Sequence, residues 1–267
     1  MERALFIAKT KNLRYFAAPL ERLYFGTEFC ERLIPSTEDM RQVMEFVREQ
    51  RTGFSLVTPY VTGAGLKGWQ KIIEMVAREL PAGEIIFNDW GMYRIIRKVS
   101  EALVPVMGRL LTKIKRGPRL MTVFDRLPPD AKSYFQGTNL TVPGYRAFLK
   151  ERGITRAELD YPLQDLELGN IGAEMHLSLY IPFAYVTTTR FCLTASCDIP
   201  EMKGMIGIFP CKQECRKYTF TLDNPVMTTT LIRKGNTIFY KNEKIPAGDE
   251  LRQKQVDRLV IQPEIPV

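Results

Sequence analysis

Four of the five cysteines, Cys192, Cys197, Cys211 and Cys215, crowd into one 24-residue window, and Cys30 stands far upstream. Thiols gathered in a turn-rich stretch point to a metal site or to disulfides. An odd cysteine count fits a secreted disulfide framework poorly, whereas reduced, clustered thiols serve as metal ligands or redox groups. A thiolate site for a soft metal needs four ligands converging on one point. Cys211-x-x-x-Cys215 supplies two from one turn, and Cys192, at the end of a strand-like run, is the natural third. The fourth is Cys30 or Cys197. Zinc and a [4Fe-4S] cluster both accept four cysteines, and spacing alone does not separate them. Unligated or redox thiols are the remaining reading.

Other residues carry less chemistry. A Ser-His-Asp or Cys-His site would have to use His176, the single histidine, and no nucleophile elbow accompanies it. A catalytic site built on several histidines is excluded by that count. Asn88-Asp89 and Glu158 fall at or near the ends of strand-like runs, where Asn88 and Glu158 are the candidate substrate-facing side chains and a turn or a solvated carboxylate is the plainer account. Of the formal charge of +8, much is local: Arg94, Arg97, Lys98, Arg109, Lys113, Lys115, Arg116 and Arg119 face the single acid Glu101, a net of +7 over residues 94–119. Such a segment is either a solvated helix face with a basic loop or a platform for an anionic ligand, RNA or an acidic protein. Tyr93 is the only aromatic residue nearby, which weighs against base stacking.

With 267 residues, 45% of them hydrophobic, the chain has enough apolar material for one large domain. No signal peptide and no run approaching eighteen apolar residues is visible, so a cytoplasmic protein with no transmembrane segment is expected.

The elements that must position these residues alternate. Arg22–Gly26, Gly53–Thr58 and Glu84–Asp89 read as strands. A capped helix starts at Ser36 with Met40, Val43, Met44 and Val47 on one stripe, and a second carries Trp69, Ile72, Ile73, Val76 and Leu80. Met92 to about Val99 is helical, and the rhythm blurs from about Val104 to Tyr134, so residues 92–135 read as a basic, insertion-like segment. Asn139–Val142 reads as strand, Tyr145–Glu151 as helix, Arg156–Leu159 as strand, Leu163–Leu166 as a short helix and His176–Ile181 as strand. The cysteine segment, 190–216, follows directly. Gly235-Asn236 between apolar runs signals a hairpin, then a helix over Asp249–Val256 and a last strand over Asp257–Ile261. Six or seven β-α steps predict a single α/β domain over 1–267, a (β/α) TIM-like barrel that is incomplete or modified, with the cysteine-rich metal-binding segment in its C-terminal third. A doubly wound sheet is the alternative, but no Gly-x-Gly-x-x-Gly follows the first strand, Arg22–Gly26.

Read together, Cys30, Asn88-Asp89-Trp90-Gly91, Arg190-x-Cys192 and Cys211-x-x-x-Cys215-Arg216 resemble the peptidase U32 family, collagenase-like in name. Within it the chain is most similar to the UbiU/UbiV branch of anaerobic ubiquinone hydroxylation, above all to its UbiV-like members. There a cluster cysteine follows a Tyr-x-Gly strand end, as in Tyr24-Phe25-Gly26 before Cys30, and another follows a Pro-x-x-Tyr stretch, as in Pro182-Phe183-Ala184-Tyr185 before Arg190-Phe191-Cys192. Gly153–Leu159, with its glutamate, and the closing segments Asn236–Phe239 and Val256–Pro263 add individually weaker matches. The resemblance implies a (β/α) barrel with a [4Fe-4S] cluster on Cys30, Cys192, Cys211 and Cys215, Cys197 being left over as an alternative ligand. It further implies a component of oxygen-independent hydroxylation, of a ubiquinone precursor or an RNA base, working with a second U32-family protein. A non-catalytic iron–sulfur or zinc protein acting as a binding partner is the other expectation. Peptidase activity, despite the family name, has no nucleophile, base and oxyanion pair to carry it.

Overall fold

The computed structural model describes residues 1–202, 205 and 209–267, so a few residues of the expected cysteine segment 190–216 lie outside the described residues. Its centre is a closed barrel of eight parallel strands. Strand β1 is Glu2–Ile7 and β2 is Arg22–Gly26, joined by a short 3-10 turn. Helix α1 (Thr37–Gln50) leads to β3 (Gly53–Val57), α2 (Gly63–Glu79) to β4 (Glu84–Phe87), and α3 (Trp90–Val99) to β5 (Val104–Met107). A long excursion then carries α4 (Met121–Phe124), α5 (Pro129–Gln136) and α6 (Pro143–Glu151) before β6 (Arg156–Asp160). The single turn α7 (Ile171–Glu174) precedes β7 (His176–Ile181). Strands β8 (Phe183–Thr188), β9 (Phe220–Leu222), β10 (Leu231–Lys234) and β11 (Thr237–Lys241) form a separate antiparallel sheet in the order β8-β11-β10-β9. Helix α8 (Gly248–Gln253) returns the chain to β12 (Arg258–Ile261), which closes the barrel between β1 and β7.

The barrel is therefore closed but modified: short turns replace full helices after β1 and β6, and an antiparallel sheet is spliced in after β7. Several expectations shift. The apolar start of the chain, to which the sequence pattern assigns no element, is β1. Val104–Met107 is β5, hidden because one of its four residues is Pro105 and charge surrounds it. The basic stretch 92–135 is thus not one insertion: up to Met107 it is mainly barrel helix and strand. Asn139–Thr141 is a 3-10 turn rather than strand, because Thr138 caps it by accepting from the Leu140 N–H at 3.3 Å. Leu163–Leu166 forms a turn, with Asp165 at positive φ.

Alternation fills the inside. Ala4, Phe6, Tyr24, Val57, Ile86, Val106, Tyr180 and Val260 form an inner cluster fed by seven of the eight strands. The eighth, β6, places Glu158 there instead, fully buried. Outside the sheet, α1 and α2 press Met40, Val43, Val47, Trp69, Ile73 and Val76 onto it. The start of α1 is locked reciprocally: Ser36 Oγ accepts from the Asp39 N–H at 3.0 Å, and Asp39 accepts from the Ser36 N–H at 3.1 Å. Among the described residues no helix is long and apolar enough to cross a membrane.

Candidate metal centre

Loops at the C-terminal ends of strands carry function in barrels, because the sheet holds their starting points rigidly. Here that mouth is sealed. Arg109, fully buried in the loop after β5, grips Glu28 through Nε at 2.9 Å and Nη2 at 2.6 Å, and reaches Asp160 at the end of β6 at 2.8 Å. Arg116 contacts the other oxygen of Asp160 at 2.5 Å and donates to the carbonyls of Arg109 and Thr112, each at 2.8 Å. Two guanidinium groups balance two carboxylates, and the Arg109 cation lies 4.3 Å from the Tyr180 ring centre. Two of the eight cations counted in segment 94–119 are therefore internal, which leaves six on its surface.

The antiparallel sheet covers this plug. Phe29, in the loop after β2, packs edge-on against Tyr185 of β8 at 5.3 Å and Phe239 of β11 at 5.2 Å. Gly26 makes the preceding bend: its φ is +134°, and a Cβ there would sit 2.1 Å from the Val57 carbonyl oxygen. The next residue after Phe29 is Cys30. The Asn236 amide nitrogen, in the β10–β11 turn, lies within donor reach of the Phe29 carbonyl (2.6 Å), the Thr189 carbonyl (2.7 Å) and the Tyr60 hydroxyl (3.0 Å). That one side chain pins the Cys30 loop, the end of β8 and the hairpin together.

Cys30, Cys192, Cys211 and Cys215 line one cavity of about 50 Å³, with Arg32, Arg190, Phe191 and Asn236 among its other walls. Cys30, Cys192 and Cys211 are half-buried, and Cys215, on a 3-10 turn, is buried. Cys197 is exposed and does not border the cavity. Glu214 joins the two cysteine turns: its carboxylate accepts from the Ser196 N–H at 2.8 Å and from the Lys212 N–H at 3.0 Å. Burial works against its ionisation, but those backbone donors outweigh it and hold the carboxyl below its usual range. Thr194, fully buried, donates to the Gly235 carbonyl at 2.9 Å. Gly235 takes positive φ in that turn, +61°, which disfavours any side chain there, and a Cβ would lie in van der Waals contact with Cys215 at 3.4 Å.

The sulfurs face conflicting influences. Burial first, then the negative charge of the other three cysteines, pushes Cys215 up to about 11. Burial likewise raises Cys30 and Cys192. Yet backbone N–H groups are turned toward sulfur: Arg32 toward Cys30, Thr194 and Ala195 toward Cys192, and Gln213 toward Cys211 at 3.4 Å. A neutral thiol is a weak acceptor, so donors so placed serve thiolates. Four thiolates in one small buried space repel one another unless a cationic centre sits among them. The donor set therefore fits a thiolate-bound metal group. Among the described residues, no three cysteine, histidine or carboxylate side chains stand within the reach of a single ion.

Asn88 and Glu158 are not at this cavity. Asn88, nearly buried, donates to the Thr58 carbonyl at 2.9 Å and accepts from the Leu110 N–H at 3.0 Å, tying the loops after β3, β4 and β5. Glu158 sits in the barrel interior, where Tyr24 donates to one oxygen at 3.2 Å and the other has no partner. Burial, stronger than the opposing Arg258 and Arg156, raises its pKa to about 7. His176 pairs with Asp257 at the other end of the barrel. Glu214 and Arg32 were not singled out from sequence, and Asn236 only as part of the Gly235-Asn236 hairpin and its closing segment; the acid between Cys211 and Cys215 was a further legible signal. A larger groove, about 980 Å³, runs along the excursion between Lys113 and Val142 and holds none of the cysteines.

No family model matches this chain, and no curated protein matches it. Among solved structures it is similar to the U32 peptidase Mk0906, at 10% identity and a TM-score of 0.46 over 99% of this chain and 93% of that one. It is also similar to the immunomodulatory chitinase TsES1 from Trichuris suis, at 8% identity and a TM-score of 0.40 over 97% and 91% of the two chains. For the spore cortex-lytic enzyme SleL from Bacillus megaterium the values are 9%, 0.39, 97% and 70%. These likenesses say nothing about chemistry; the barrel stands on its own strand pairing.

Proposed function

We propose that this chain is a U32-like iron–sulfur protein that holds a [4Fe-4S] cluster on Cys30, Cys192, Cys211 and Cys215. The observation that carries this is the convergence of those four cysteines on one cavity, with backbone donors turned to three of the sulfurs and Cys197 left outside. A cluster bound there supplies one-electron redox chemistry, tuned by hydrogen bonds to sulfur and by nearby charge. The chain's own part is to hold four thiolates, with the apolar Leu33 and Val267 and the cationic Arg32 and Arg190 among the other residues that line the cavity. The resemblance in sequence supports a role as one component of an oxygen-independent hydroxylation system, alongside a second U32-family protein. Asn88 and Glu158 enter that proposal through the frame rather than as substrate contacts at the cavity.

A structural zinc is the second reading. Four thiolates on one tetrahedral ion must lie about 3.8 Å apart, from bonds of about 2.3 Å. Here the four cysteines line a cavity of about 50 Å³, and no triad of donors meets the reach of one ion among the described residues. That favours the cluster, in which each iron takes one thiolate. Purification without oxygen, followed by iron, acid-labile sulfide and zinc assays, tests this. About four irons and four sulfides per chain are expected; one zinc per chain, or no metal, contradicts the proposal.

A further inference from the structure

The cysteine cavity opens on a face whose cations lack partners. Arg32 and Arg190 line it, Arg216 directly follows Cys215, and Lys234 precedes Gly235, another wall residue. Lys9 feels the charges of Lys234, of the opposing Glu264, and of Lys11 and Arg216, which ties these cations to the neighbourhood of Arg216. None of the six makes an ion pair among the described residues. Acids nearby are already engaged: Glu31 accepts from the Thr62 N–H at 2.6 Å, Glu264 from the Asn12 amide at 2.6 Å, and Glu214 from two backbone donors. Burial, then Lys234, presses Lys9 below its ordinary value, a sign that this repulsion is felt. Phe191, 57% exposed, lines the same cavity, and Leu193, 45% exposed, directly follows Cys192.

We propose that this face docks a small acidic protein of the ferredoxin kind, which delivers one electron to the centre held by the four cysteines. The cations at and beside the cavity outnumber what a small anion requires, and Arg32 and Arg190 share its lining with the exposed Phe191, a mix of charge and apolar surface like that of a protein interface. Nucleic acid binding without sequence preference calls instead for a groove with successive stacking aromatics. In the step, the carrier loses one electron and the cysteine-held centre gains one, with no bond made and no proton required. The proposal rests on the iron–sulfur reading.

The test is binding of an acidic [2Fe–2S] ferredoxin to the full chain, purified without oxygen, at low and high salt, with iron content assayed on the same samples. Lys11→Glu combined with Lys234→Glu reverses two charges that do not line the cavity. The expected result is a Kd raised about tenfold or more by the double reversal and by salt, with iron content and circular dichroism unchanged. Binding that is absent while iron is present, or indifferent to both salt and reversal, overturns the docking proposal alone. A transfer RNA that binds this face and excludes the ferredoxin also overturns it. Binding retained in a chain that carries no iron overturns electron delivery together with the iron–sulfur reading.

Discussion

Glu158 takes the one inner position where β6 would otherwise contribute an apolar side chain to the barrel core. Its folded pKa of about 7 lies above the unfolded value near 4.5, so the folded state holds the proton more tightly. The stability this lends is fully present below about pH 4.5 and is lost as pH rises through 7. A shift of this size is worth on the order of 3 kcal/mol, or about 5 °C in Tm for a chain of this length. Melting curves at pH 5.5 and 8.5 span the upper part of that window, so a fall of about 2 kcal/mol, roughly 3–4 °C, is expected in the native chain and a much flatter response in Glu158→Gln. An equal fall in both would place the titrating group elsewhere. Glu158 was visible in sequence as a strand-end carboxylate, but its depth in the barrel was not, because alternation along β6 says which face it takes and not how far below the mouth it lies.

The loop that brings Cys30 to the site depends on two devices of different legibility. Gly26 ends β2 at positive φ with the Val57 carbonyl against it, so Gly26→Ala forces the chain apart there. Loss of the metal group is expected before loss of the barrel, read as iron content falling while far-ultraviolet circular dichroism is kept. Glu214→Ala removes the acceptor shared by the Ser196 and Lys212 N–H groups, at about 1–3 kcal/mol for the donors left unpaired. It should lower iron occupancy with the four cysteines intact; unchanged occupancy would mean the two turns hold themselves. The helices were legible because their stripes and caps are local, as at Ser36 and Trp69. β1 and β5 were not, since four to six residues with few alternations carry little periodic signal. The choice between Cys30 and Cys197 was open from spacing, because 161 residues lie between Cys30 and Cys192 and only closure of the barrel brings them together.

Across the whole molecule, charge closes the barrel at both ends. Arg22, Arg258, Glu2 and Glu84 interlock at the N-terminal end, with Arg258 to Glu84 at 2.7 Å, and Arg109, Arg116, Glu28 and Asp160 seal the mouth. The usual barrel site is thereby filled, and the proposed metal centre lies instead at the seam between the barrel and the antiparallel sheet. Arg109→Met leaves Glu28 and Asp160 short of a buried counter-charge, a loss of about 3–5 kcal/mol. Chemical denaturation should show it, and Glu28→Gln in the same chain should recover part of it; no recovery would mean that packing on Tyr180 and Phe29, not charge, holds the plug. Composition announced the excess of positive charge without revealing this division, since Arg109 and Arg116 look in sequence like any other member of the basic segment. The central claim is the identity of the four ligands, and iron and sulfide content of Cys30→Ala beside Cys197→Ala, both purified without oxygen, tests it most directly. The account predicts a cluster lost or crippled in Cys30→Ala and intact in Cys197→Ala. The reverse pattern, or equal iron in both, would contradict it.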